Sequence, residues 1–71
     1  MRKKVFIEGM SCEHCVNHVK EALNELEGVT SVYVSLEDKM AMLESSITIG
    51  DGDIQYIIGD AGYDVSRIEL L

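Results

Sequence analysis

Cys12 and Cys15 are the only cysteines of this 71-residue chain, and they stand three positions apart inside Gly9-Met10-Ser11-Cys12-Glu13-His14-Cys15. Two thiols with that spacing can converge on one soft ion when they bracket the start of a helix, whose N-terminal dipole also favours their ionised form. The chain offers two thiols and no second such pair. A closed structural zinc site takes four ligands, whereas two thiolates suit a large, soft ion of low coordination number such as Cu(I).

Three neighbours widen the set of candidates. The Met10 thioether is a third soft donor for the same ion. On a helical wheel His18 lies about 60° from Cys15 and about 40° from His14, so Cys15, His14 and His18 share one edge of a helix and a Cys2His zinc-like arrangement is conceivable. Against it, His14 falls about 160° from Cys12 on the same wheel, which leaves both histidines expected in solvent. The rival chemistry for a CxxC pair is disulfide exchange. A thioredoxin-like oxidoreductase places a cis-proline beside its disulfide, and this chain has no proline and is short for that fold.

The elements that position these residues follow from periodicity. Val5-Phe6-Ile7 alternates as a half-buried strand that Gly9 breaks. Counting from Cys12, Val16, Val19, Leu23 and Leu26 fall within roughly 40° of one direction of a helix, with Ser11 as the expected N-cap and Gly28 as the expected stop. Val29 to Leu36 reads as a strand with Val32, Val34 and Leu36 on one face. Glu37-Asp38 then turns the chain into Lys39 to Glu44, where Met40 and Met42 are expected to point inward. Ile54, Ile57, Ile58 and Ala61 mark a second helix ended by Gly62, and Tyr63 to Leu70 supplies a last strand.

That order is βαββαβ, an α+β ferredoxin-like sandwich: a four-stranded antiparallel sheet with two helices on one face, formed by a single domain over residues 1–71. Its connectivity puts the cysteine loop, the Glu37-Asp38 turn and the Gly62-Tyr63 loop at one end. Tyr63 is thereby expected beside the thiols. Glu13, Glu37, Asp38, Asp60 and Asp64 make that end acidic, and the basic cluster Arg2-Lys3-Lys4 lies at the far pole.

The stretch Gly9 to Cys15 resembles the GMxCxxC motif of the heavy-metal-associated domain family, which contains small bacterial copper chaperones and the N-terminal metal-binding domains of copper-transporting P-type ATPases. Gly28-Val29 at the entry to the second strand and Ala61-Gly62-Tyr63-Asp64-Val65 near the end extend the resemblance over almost the whole chain. It implies Cu(I) held by Cys12 and Cys15 as a near-linear bis-thiolate and passed on by ligand exchange through a three-coordinate intermediate. It further implies a cytoplasmic chaperone rather than an enzyme. The recipient that the resemblance implies is a copper-exporting P-type ATPase, or alternatively a copper-responsive regulator. Met10 resembles a core plug that stiffens the loop, and Tyr63 a side chain that shields the metal. Zinc-selective relatives resemble GMDCxxC, where this chain has Ser11. An excised ATPase metal-binding domain and a zinc or cadmium relative are the alternatives. The apo form is expected to be a monomer, with a metal-bridged dimer open to two exposed CxxC loops.

Bulk properties agree with a small binding protein. Thirteen acidic and six basic residues give a net charge of −7, which argues against nucleic acid and anionic membrane surfaces as partners. The apolar run after Met1-Arg2-Lys3-Lys4 is too short for a signal peptide, so a reducing cytosol that keeps the thiols free is expected. With 46% hydrophobic residues, stability must come from apolar burial, since cysteines three apart cannot staple distant segments.

Overall fold

The computed structural model describes residues 1–71 and contains β1 (Arg2–Glu8), α1 (Glu13–Asn24), β2 (Val29–Ser35), β3 (Met40–Ser45), α2 (Asp51–Asp60) and β4 (Asp64–Leu70). The four strands form one antiparallel sheet in the order β2-β3-β1-β4. This is the ferredoxin-like arrangement expected from the sequence. Val5 and Ile7 of β1 pack with Ala41 and Leu43 of β3 beneath Val19 and Leu23 of α1 and Ile54 and Ile58 of α2. The expected inward stripes of β1 and of both helices therefore build the core.

The parity of β3 is reversed from the expectation. Ala41 pairs with Val5 and Leu43 with Lys3, all on the helix-covered face, while Met40 pairs with Phe6 and Met42 with Lys4 on the opposite face. Met40-Ala41-Met42-Leu43 is apolar at every position, so alternation alone cannot choose a face. The small Ala41 fits under the helices where a methionine would overfill the space. Met40 is still buried, but on the open side of the sheet beside Phe6.

Both expected ends of the first helix also move. The N-cap is Cys12, in extended conformation and without a side-chain capping bond, one residue after Ser11. At the other end α1 stops at Asn24, and Gly28 lies beyond it in the turn that enters β2. Glu21, Glu25 and Glu27 crowd the negative end of the helix dipole with no basic residue in the last turn, which disfavours further turns.

The far pole is tied together by a cation the sequence placed there only as surface charge. Lys3 is 8% exposed. Its ammonium donates to the Ile49 carbonyl at 2.7 Å and to the Asp51 carboxylate at 2.6 Å, pinning the loop before α2 to β1. The aliphatic stem lies on the core while the charged head reaches the edge.

Candidate metal centre

Gly9 turns the chain out of β1 with φ of +96°, in the left-handed region that favours glycine. A Cβ there would also stand 3.6 Å from Cδ1 of Tyr63, so the tyrosine ring rests on the backbone of the loop. Met10 turns inward and joins the core cluster at 6% exposure, which takes its sulfur away from the thiols. With Met10 anchored, Cys12 occupies the N-cap and Cys15 the first turn of α1.

The chain returns to this end through a helix terminus of defined geometry. Gly62, with φ of +99°, follows the C-cap Ala61. The Tyr63 N–H donates to the Ile58 carbonyl at 3.1 Å and the Gly62 N–H to the Gly59 carbonyl at 3.0 Å, the paired bonds of a Schellman motif. That motif satisfies the last carbonyls of α2 and fixes the direction in which Tyr63 leaves, toward the thiols.

Cys12 Sγ lies 3.6 Å from Cys15 Sγ, and both cysteines are free, Cys12 exposed and Cys15 half-buried. Taking the zinc–sulfur length of about 2.3 Å as a guide, two sulfurs across a linear centre stand about 4.6 Å apart, so the pair would open by about 1 Å to take an ion in line. The Cys15 thiol is held down to about 6 from its ordinary 9.0. The largest cause is the Ser11 backbone N–H, followed by the Tyr63 hydroxyl, with smaller help from the Cys12 thiol and backbone; burial opposes them. Tyr63 responds in the opposite sense. Its hydroxyl donates to Cys15, and that bond, followed by burial and the charge of the two sulfurs, raises its pKa and keeps it protonated.

Of the two histidines, His18 is the one that touches this assembly: Nδ1 lies 3.4 Å from Tyr63 Oη. His14 is exposed and meets the His18 ring edge-on, with centroids 5.9 Å apart. No group of three or more His, Cys, Asp or Glu side chains converges anywhere, so a Cys2His cluster is not formed. Ser11 contributes through its backbone and leaves its side chain exposed. The His18 contact was absent from the sequence reading because it bridges α1 and the residue after α2. The signal available was the shared helix edge with Cys15 together with Tyr63 expected at the same end.

The surrounding surface carries the acidic residues expected there. Glu13, Glu37, Asp60 and Asp64 are exposed, and the three ion pairs of the chain, Arg2–Glu44, Lys3–Asp51 and Arg67–Glu69, use none of them. Asp38 differs: its carboxylate accepts from Ser35 Oγ and its N–H donates to the same oxygen, which closes the turn between β2 and β3. No helix is long and apolar enough to cross a membrane.

Known proteins are similar to this chain in sequence and in fold. The family model for the heavy-metal-associated domain matches residues 4–64. The copper chaperone CopZ of Bacillus subtilis is 40% identical over 67 residues, covering 93% of this chain and 97% of that protein. Among solved structures, a CopZ metallochaperone superposes with a TM-score of 0.84 at 36% identity, covering 92% of this chain and 98% of its own. A copper-binding domain from HMA7, a P-type ATPase, gives 0.82 at 34% identity over 100% of this chain and 95% of that one. The chain is thus a member of the heavy-metal-associated domain family.

Proposed function

We propose that this chain is a cytoplasmic Cu(I) chaperone in which Cys12 and Cys15 hold the ion as a two-coordinate bis-thiolate and hand it to a partner by thiolate exchange. The observation that carries this reading is the open pair itself: two sulfurs 3.6 Å apart where the loop enters α1, with no third His, Cys, Asp or Glu donor closing over them. A two-ligand thiolate site suits a soft ion of low coordination number and leaves room for an incoming thiolate. The likeness to proteins named as copper chaperones supports the same cargo. No enzymatic role is assigned to the pair.

Loading exchanges protons for metal. Cys15 already carries the negative charge at neutral pH, so the ion replaces the proton shared between the two sulfurs. In transfer, a cysteine of the recipient would attack the exposed side at Cys12, and bonds to the donor sulfurs would break in turn, so that copper is never free. The recipient is a metal-binding domain of a copper-transporting P-type ATPase, with a copper-responsive regulator as a second acceptor. The likeness to an ATPase copper-binding domain, at 34% identity, supports a second reading, that the chain is itself such a domain spanning residues 1–71.

Anaerobic titration with Cu(I) against a competing chelator, with Zn(II) in parallel and sedimentation of apo and loaded forms, tests the proposal. One Cu(I) per chain, bound more tightly than Zn(II), is expected. Tighter zinc binding would overturn it. Sedimentation also distinguishes a loaded monomer from a metal-bridged dimer.

A further inference from the structure

We infer that His14 and His18 form a second metal site, separate from the thiols, that takes a borderline divalent ion such as Zn(II) or Ni(II) between two imidazoles one turn apart on α1. They are the only histidines of the chain, and both are exposed. Four residues apart on α1, they have the i, i+4 spacing by which one edge of a helix presents two imidazoles to a single ion. Their ring centroids lie 5.9 Å apart at an interplanar angle of 60°. With zinc–nitrogen bonds of about 2.0–2.1 Å and a ring nitrogen about 1 Å from its centroid, two rings on one ion have centroids up to about 6 Å apart. The observed separation lies within that reach, and rotation of two exposed side chains adjusts the angle at the ion.

The imidazoles do not join the sulfurs. Cys15 Sγ instead stands 3.6 Å from Cys12 Sγ, and no cluster of three or more His, Cys, Asp or Glu donors includes either pair. The chain thus carries one soft pair and one borderline pair. Nδ1 of His18 is turned to Tyr63 Oη at 3.4 Å, which leaves Nε2 as its free nitrogen. With His18, the side chains of Glu21, Glu25 and Asp60 line a groove of about 290 Å³ between α1 and α2, and none of the three is used in an ion pair. Their charge favours a cation at this edge without ligating it. Two nitrogens leave the rest of the coordination sphere to water, so the site is an open one and weaker than a closed four-ligand site.

The test separates the two pairs. Zn(II) is titrated by calorimetry into Cys12→Ser/Cys15→Ser at about pH 7.5, where an ordinary imidazole is mostly neutral. If circular dichroism shows that variant unfolded, native protein with both thiols carbamidomethylated takes its place. One Zn(II) per chain is expected, with two-bond 1H–15N spectra showing both histidines coordinated. His14→Ala and His18→Ala should each weaken binding about tenfold or more, because no second imidazole then binds intramolecularly. A further variant keeps both imidazoles and breaks the spacing. His18→Lys with Lys20→His moves one ring about 120° round the helix from His14 and should weaken binding as much as His18→Ala. No Zn(II) uptake without the thiols, binding that survives His14→Ala and His18→Ala, or undiminished affinity in the swapped variant would overturn the inference. Because the thiols are removed or blocked throughout, these outcomes do not depend on the copper reading.

Discussion

Cys15→Ser should remove a pH dependence of folding stability that the native protein owes to one thiol. In the folded chain that thiol sits at about 6, three units below the 9.0 of an unperturbed group. At pH 7 it is about nine-tenths ionised, against about one-hundredth for an unperturbed thiol. Between those two values the unfolded chain holds a proton that the folded chain has lost, so stability rises with pH across the window. The contribution is complete above about 9 and gone once the pH falls through about 6. The slope approaches one proton per molecule in the middle of the window. Urea unfolding under reducing conditions at a series of pH values measures it. The difference between native protein and Cys15→Ser cancels the groups that the two proteins share. Tyr63→Phe should raise the lower edge of the window without abolishing it, since the Ser11 N–H, the larger cause, remains. Parallel stability profiles for the native protein and Cys15→Ser would refute the reasoning, as would an alkylation profile of Cys15 with its midpoint near 9.0.

Other expectations concern the scaffold and the approach of a partner. Gly59→Ala should stabilise the domain by about 1 kcal/mol, or about 4–8 °C in Tm, because a Cβ there meets nothing within 4 Å and the position is helical; a measured loss would mean that the helix is irregular at this point. Lys3→Met should cost about 1–3 kcal/mol in chemical denaturation, since it removes the donor to the Ile49 carbonyl and leaves Asp51 unpaired; an unchanged midpoint would reduce Lys3 to a surface charge. Glu37→Lys combined with Asp60→Lys should slow copper transfer to an ATPase metal-binding domain that is basic around its thiols, most at low salt, while leaving Cu(I) affinity unchanged. Asp38 is unsuitable for that test because it closes the turn with Ser35. Native transfer rates in the double variant would leave the acidic face as a solubilising surface.

The fold was legible because β1, α1 and α2 each have one apolar stripe and one polar side, and the order βαββαβ is that of the ferredoxin-like arrangement. Tyr63 beside the thiols followed from connectivity alone. The face of β3 was not legible, since Met40 to Leu43 is apolar throughout and the choice rests on the size of Ala41 under the helices. Lys3 looked like one of three surface cations, yet its strand parity, shared with Val5 and Ile7, pointed it inward. The lowered Cys15 thiol depends on where the Ser11 N–H and the Tyr63 hydroxyl aim, and the His18 contact depends on two helices meeting. These are tertiary facts, for which the sequence offered at most the helix edge that His18 shares with Cys15.

X-ray absorption at the copper edge of the anaerobically loaded monomer tests the central proposal most directly. Two sulfur neighbours in a near-linear geometry, and no nitrogen neighbour, are expected for an ion held by Cys12 and Cys15 alone, with either Cys→Ser variant failing to retain copper against glutathione. A nitrogen in the first coordination sphere, or a single-cysteine variant that keeps the native affinity, would contradict a two-thiol site.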